Sequence, residues 1–186
     1  MNAEFKSTRI ILIGSTNVGK TSLLSRIINN KFGETSPTTG SAFSQFQTKN
    51  EDHPLVEFWD TAGMERYRSI NKSFYKEAQA AILVFDLTSY QSFDDLDAWL
   101  EEFKNEAPDN AVVILVGNKA DLTEKIEVDP DEIKAFANAH KINYYQTSAK
   151  DSLGIDTMLN ELLSIIPKRN VYSTKLIEED DEKKCC

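Results

Sequence analysis

Short apolar runs alternate along this chain with longer stretches in which apolar residues recur every three or four positions. The runs are Arg9 to Ile13 (RIILI), Val56 to Trp59, Ala80 to Phe85, Val112 to Val116 and Tyr144 to Gln146, each short enough for a buried strand. Helical spacing fills the intervals: Leu23, Leu24, Ile27 and Ile28; then Phe93, Leu96, Trp99, Leu100 and Phe103; then Ile155, Met158, Leu159, Leu162, Leu163 and Ile166. Strand and helix in alternation predict an α/β fold, a sheet with helices packed on both faces. The aromatic stripe Phe93, Trp99 and Phe103 fits a partner groove in principle, but burial against the sheet is the expected role. No internal repeat or low-complexity stretch precedes the tail.

The polar segments that end these runs carry the chemistry. Gly14 to Thr21 (GSTNVGKT) fits G-x-x-x-x-G-K-[ST], whose backbone N–H groups wrap phosphate oxygens while Lys20 reaches the outer phosphates and Thr21 offers its hydroxyl to Mg²⁺. Asn118 to Asp121 (NKAD) selects the base, because the Asp121 carboxylate accepts from both N1–H and N2–H₂ of guanine, a pair that adenine lacks. An unmatched buried polar group costs on the order of 1–3 kcal/mol, so Asp121 rejects adenine rather than merely preferring guanine. Asp60 to Gly63 (DTAG) supplies a carboxylate that holds Mg²⁺ through water and a Gly63 backbone N–H facing a γ-phosphate, an approach that only glycine permits. In Ser148 to Lys150 (SAK), the Ala149 N–H is the natural donor to guanine O6. Most of these segments follow a strand, as expected for ligands bound beyond the carboxyl ends of an open sheet.

With 186 residues and 40% hydrophobic content, one domain with a sizeable core is expected. The longest apolar runs fall far short of the ~20 residues of a membrane span, and no signal peptide is apparent, so a cytosolic protein is expected. A net charge of −9 without a basic run argues against nucleic-acid binding.

GSTNVGKT, WDTAGMERYRS (Trp59 to Ser69), GNKADL (Gly117 to Leu122), TSAK (Thr147 to Lys150) and the final Cys185-Cys186 together resemble the Rab branch of the Ras-like small GTPases, over about Arg9 to Pro167. The resemblance implies a P-loop NTPase small G domain at 9–167, with a six-stranded, mostly parallel sheet and five helices. An N-terminal extension at 1–8 and a flexible tail at 168–186 flank it. GTP or GDP and Mg²⁺ are the implied cofactors. The implied nucleotide contacts are Asn17, Val18, Gly19, Lys20, Thr21 and Ser22 on the phosphate side, Phe32 packing edge-on against guanine, and Asn118, Lys119, Asp121, Ser148, Ala149 and Lys150 around the base. Thr21, Thr38 and Asp60 are the implied metal ligands; Lys20, Thr38 and Gly63 are the implied catalytic contacts. Two switch regions, around Thr38 and over Asp60 to Phe74, follow the γ-phosphate by ordering and relaxing. Phe43, Trp59 and Phe74 resemble the aromatic triad that effectors read. Partners implied are effectors, an exchange factor, a GAP, a prenylation escort and a GDI-type extraction factor. The expected address is the cytosolic face of intracellular membranes, with GNKADL similar to the endosomal Rabs.

Three departures stand out. Thr39 replaces the usual isoleucine, and the stretch from Phe32 to Thr38 is one residue short. Thr38 as metal ligand keeps Gly40 and Phe43 in register, with Thr39 the alternative. Met64 stands where the family has the glutamine that orients the attacking water, and a thioether cannot do so; slow intrinsic hydrolysis is expected, or a near-permanent GTP platform governed by exchange alone. The tail carries the acidic block Glu178 to Glu182 in place of a polybasic one, so anchoring falls on two geranylgeranyl groups at Cys185 and Cys186. A P-loop kinase or ATPase is the remaining alternative, supported by Gly14 to Thr21 and opposed by Asn118 to Asp121.

Overall fold

The computed structural model describes residues 7–33, 41–61 and 73–168. Along the chain run β1 (Thr8–Ile13), α1 (Lys20–Asn29), β2 (Ser41–Gln47), β3 (Leu55–Thr61), β4 (Ala80–Asp86), α2 (Tyr90–Asp94), α3 (Leu96–Glu106), β5 (Val112–Asn118), α4 (Pro130–His140), β6 (Asn143–Gln146) and α5 (Ile155–Ile165). A single 3₁₀ turn, Thr123–Lys125, lies between β5 and α4. The strands form one six-stranded sheet in the order β2-β3-β1-β4-β5-β6. Every pairing is parallel except β2 with β3.

Alternation of side chains along the central strands divides the core in two. Ile10, Leu12, Ile82, Val84, Ile114 and Val116 face α1 and α5, meeting Leu23, Leu24, Ile27, Met158 and Leu162. Ile11, Ile13, Leu83, Phe85, Val113 and Leu115 face α3 and α4, meeting Trp99, Leu100, Phe103, Ile133 and Ala137. All seven residues of β4 are buried, as a strand covered on both sides requires.

The expected strands are present, with longer carboxyl ends. β3 continues through Asp60 and Thr61, and β5 through Asn118, so these motif residues begin inside the sheet, with Asp60 paired to Leu12 and Asn118 to Asp86. The aromatic stripe needs a correction. Phe93 belongs to α2, and the helix breaks at Asp95 before Leu96, Trp99, Leu100 and Phe103 continue on α3. Trp99 and Phe103 are buried in the core, which removes them from any partner groove. α4 begins with Asp129 accepting from the Asp131 N–H and Pro130 in the first turn, a start signal that the apolar spacing alone did not reveal.

The turn joining β2 and β3 is tied to both ends of the domain by the buried ring of His53. The Thr8 hydroxyl donates to Nδ1 at 2.8 Å. Nε2–H donates to the Ile166 carbonyl at 3.3 Å, and Asp52 pairs with Lys168 at 2.8 Å.

Candidate functional site

The phosphate loop leaves β1 at Gly14 and enters α1 at Lys20. Gly14 has φ 135°, and a Cβ there meets the Val84 carbonyl oxygen at 2.1 Å, so β4 passes where any side chain would stand. Gly19, at φ 96°, is similarly closed by Asn118 Nδ2 at 2.3 Å. Lys20 is buried, and its Nζ donates to the Gly14 and Ser15 carbonyls, both at 2.8 Å, which curls the loop around the ammonium. Burial pushes the Lys20 ammonium down to about 8, partly offset by the Asp60 carboxylate. A polyphosphate inserted into this loop would add negative charge to the little that Asp60 supplies to the lysine.

Within the loop, the Ser15 hydroxyl donates to Asp95 Oδ2 at 2.7 Å and accepts from Trp99 Nε1–H at 3.1 Å. The break between α2 and α3 thereby places a carboxylate against the phosphate loop, a relation that sequence spacing could not reveal.

Thr21 and Asp60 meet as expected, with the Thr21 hydroxyl donating to Asp60 Oδ2. Two hard oxygen donors brought together beside a lysine fit Mg²⁺, which favours oxygen ligands and retains water in its shell. Thr61 locks this strand end by donating to the Leu12 carbonyl at 2.6 Å. Thr38, Gly63 and Met64, with the greater part of both switch segments, lie outside the described residues, as do Cys185 and Cys186.

On the base side, Asn118 is the junction. Its Nδ2 donates to the Val18 carbonyl at 3.0 Å, and its Oδ1 accepts from the Thr147 hydroxyl at 3.3 Å and the Ala149 N–H at 3.2 Å. One buried amide thus joins the phosphate loop to SAK. The Ala149 N–H, expected at guanine O6, is directed to Asn118 in this arrangement. Asp121 is aimed by the Ser148 hydroxyl, which donates to Oδ1 at 2.7 Å, while Lys150 Nζ stands 3.8 Å from Oδ2. Lys119, held at φ 66°, pairs with Asp86 at 2.6 Å. Phe32, half exposed, follows the end of α1. Asn17 takes φ 62° in the phosphate loop, Val18 is buried beneath it, and Ser22 lies in the first turn of α1.

The aromatic triad also comes together. Trp59 stacks on Phe74 at 4.5 Å between ring centroids and meets Phe43 at 5.2 Å. The Arg9 guanidinium covers Trp59 at 5.2 Å, and Phe43 is 48% exposed, so one ring faces outward while the others brace it.

The family model described as Ras family matches residues 9–168. The chain is similar to the Ras-related protein Rab11A of Lotus japonicus, 37% identical over 169 residues covering 88% of this chain and 75% of the relative. It is 39% identical over 177 residues to the Ras-related protein RIC2 of Oryza sativa subsp. japonica, covering 94% and 80% respectively. It is 40% identical over 173 residues to the Ras-related protein Rab-25 of Canis lupus familiaris, covering 90% and 81%.

Proposed function

The chain belongs to the Ras family and is a small GTPase of the Rab type, and from that premise we propose that it is a prenylated GTP switch of membrane traffic with slow intrinsic hydrolysis. Ras-family GTPases bind GTP or GDP with Mg²⁺ and hydrolyse GTP, and Rab proteins work with effectors, exchange factors, GAPs and GDI. The observation that carries the reading is Asn118, because it joins a phosphate loop to a base loop whose Asp121 is already aimed by Ser148.

The residues divide the work as follows. Gly14 to Gly19 present backbone N–H groups to the phosphates, and Lys20 reaches the outer phosphoryl oxygens. Asp121 reads the guanine edge, and Phe32 packs on the ring. Thr21 and Asp60, joined by Thr38, hold Mg²⁺, which supplies charge neutralisation at the phosphates when bound. Gly63 contacts the γ-phosphate, and its loss on hydrolysis releases the switch beside Phe43, Trp59 and Phe74. Cys185 and Cys186 carry two geranylgeranyl groups, since the acidic tail gains nothing from an anionic leaflet. Among the described residues no helix is long and apolar enough to cross a membrane. The proposal takes residues 9–167 as the G domain, between an N-terminal extension and a tail from residue 168, with Thr8 of the extension joining it as the first residue of β1.

Met64 favours a second reading, a long-lived GTP-bound platform released by exchange alone. Single-turnover GTP hydrolysis by the native protein and by Met64→Gln, each with and without a Rab-directed GAP, separates the two. The switch reading expects Met64→Gln to hydrolyse faster unaided and the native protein to respond to GAP. A native protein inert with GAP beside a responsive Met64→Gln selects the platform.

A further inference from the structure

Arg26 lies in the last turn of α1, outside every motif, yet its guanidinium reaches three backbone carbonyls on two separate segments. Nε donates to the Ala149 carbonyl at 2.8 Å, and Nη2 donates to the Lys150 carbonyl at 2.8 Å. Nη1 donates to the Asn30 carbonyl at 2.9 Å and to Asn30 Oδ1 at 3.1 Å. Asn30 ends α1 in the left-handed conformation, φ 50°, and directs the chain toward Phe32. The arginine therefore binds the segment that leads to the ring-packing residue and the segment that carries the base-reading loop.

We infer that Arg26 is a positioning residue that ties the two walls of the guanine pocket together. The planar fork suits this task, since its donors address several carbonyls at fixed angles. Its position in the last turn of α1 also places positive charge at the negative end of the helix dipole. The carbonyls of Ala149 and Lys150 flank the amide and side chain that surround the base, so holding them restricts the whole SAK loop. Ser148 and Lys150 in turn bear on Asp121, which carries the effect to the 2-amino edge of guanine. The inference rests on the guanine-site reading above and adds to it a residue remote from the nucleotide.

The test measures release of mant-GDP and mant-IDP from the full-length protein, with Mg²⁺ and in excess EDTA, for Arg26→Gln and Arg26→Lys. Arg26→Gln should speed mant-GDP release roughly tenfold, by a similar factor with and without Mg²⁺, because the metal acts at the phosphate end. Arg26→Lys, with a single point donor, should fall between. Inosine lacks the 2-amino group, so a loosened Asp121 should narrow the gap between mant-GDP and mant-IDP release. General weakening of the fold would speed both ligands alike and keep that gap. Release within about twofold of wild type, or acceleration with the gap unchanged, overturns the inference. Failure of the wild-type protein itself to bind mant-GDP overturns the guanine-site reading, and the inference with it.

Discussion

Replacing Asn118 by alanine tests the junction on which the proposed function rests. The side chain is 1% exposed and makes three hydrogen bonds, to the Val18 carbonyl, the Thr147 hydroxyl and the Ala149 N–H. Truncation leaves the Val18 carbonyl and the Ala149 amide without that partner in a dry environment. Each lost bond is worth about 1 kcal/mol net, and each stranded group adds to the loss, so a total of about 3 kcal/mol is expected. For a urea m-value of roughly 2 kcal/mol per molar, the unfolding midpoint should fall by about 1.5 M. The assay is urea denaturation followed by far-ultraviolet circular dichroism, with nucleotide removed because bound ligand adds stability of its own. Asn118→Asp refines it: the acceptor toward Ala149 and Thr147 survives, but a carboxylate oxygen now faces the Val18 carbonyl. That variant should therefore lose at least as much as alanine. A midpoint shift under about 0.5 M for alanine, or a wild-type midpoint for aspartate, would refute the assignment of Asn118 as the cross-link.

Two further outcomes follow from the same loop. Lys20 holds its proton less tightly folded, at about 8, than at its ordinary 10.5. The unfolded chain consequently binds the extra proton between those values, and stability in the absence of nucleotide should rise with pH across the window, by about 1.4 kcal/mol per unit at most. Lys20→Met should flatten that slope in urea titrations at stepped pH, and identical slopes would contradict the burial argument. Gly14→Ala should destabilise the fold by about 2–5 kcal/mol, since a Cβ both meets the Val84 carbonyl and must occupy a positive φ. A melting temperature equal to that of wild type would show that β4 gives way.

Legibility in the sequence tracked how local each signal was. The central strands were plain because burial on both faces leaves β1, β4 and β5 almost wholly apolar. β2 was not among the apolar runs, since this edge strand (SAFSQFQ) pairs on one side only and reads as polar between Phe43 and Phe46. One uninterrupted aromatic spacing concealed the break at Asp95, because both helices turn their apolar residues to the same layer. In the site, every residue whose chemistry depends on its type was visible: the glycines, Lys20, Thr21, Asp60, Asn118 and Asp121. Arg26 was not, because its partners are backbone carbonyls 123 and 124 positions away, which leave no mark on side-chain identity. Asp95 was hidden because its partner, the Ser15 hydroxyl, is 80 positions away and comes to it only through the fold.

The ring of His53 bears on where this protein is to be cut. Because the Ile166 carbonyl accepts only, Nε2 carries the hydrogen and Nδ1 receives the Thr8 hydroxyl, so both nitrogens are satisfied by residues near the two ends of the domain's sequence. A fragment that starts after Thr8, or stops before Ile166, strands one side of an imidazole in the interior. The shortest self-sufficient piece therefore spans both residues, and its two ends leave from one neighbourhood, so a short linker there would close the domain into a circle.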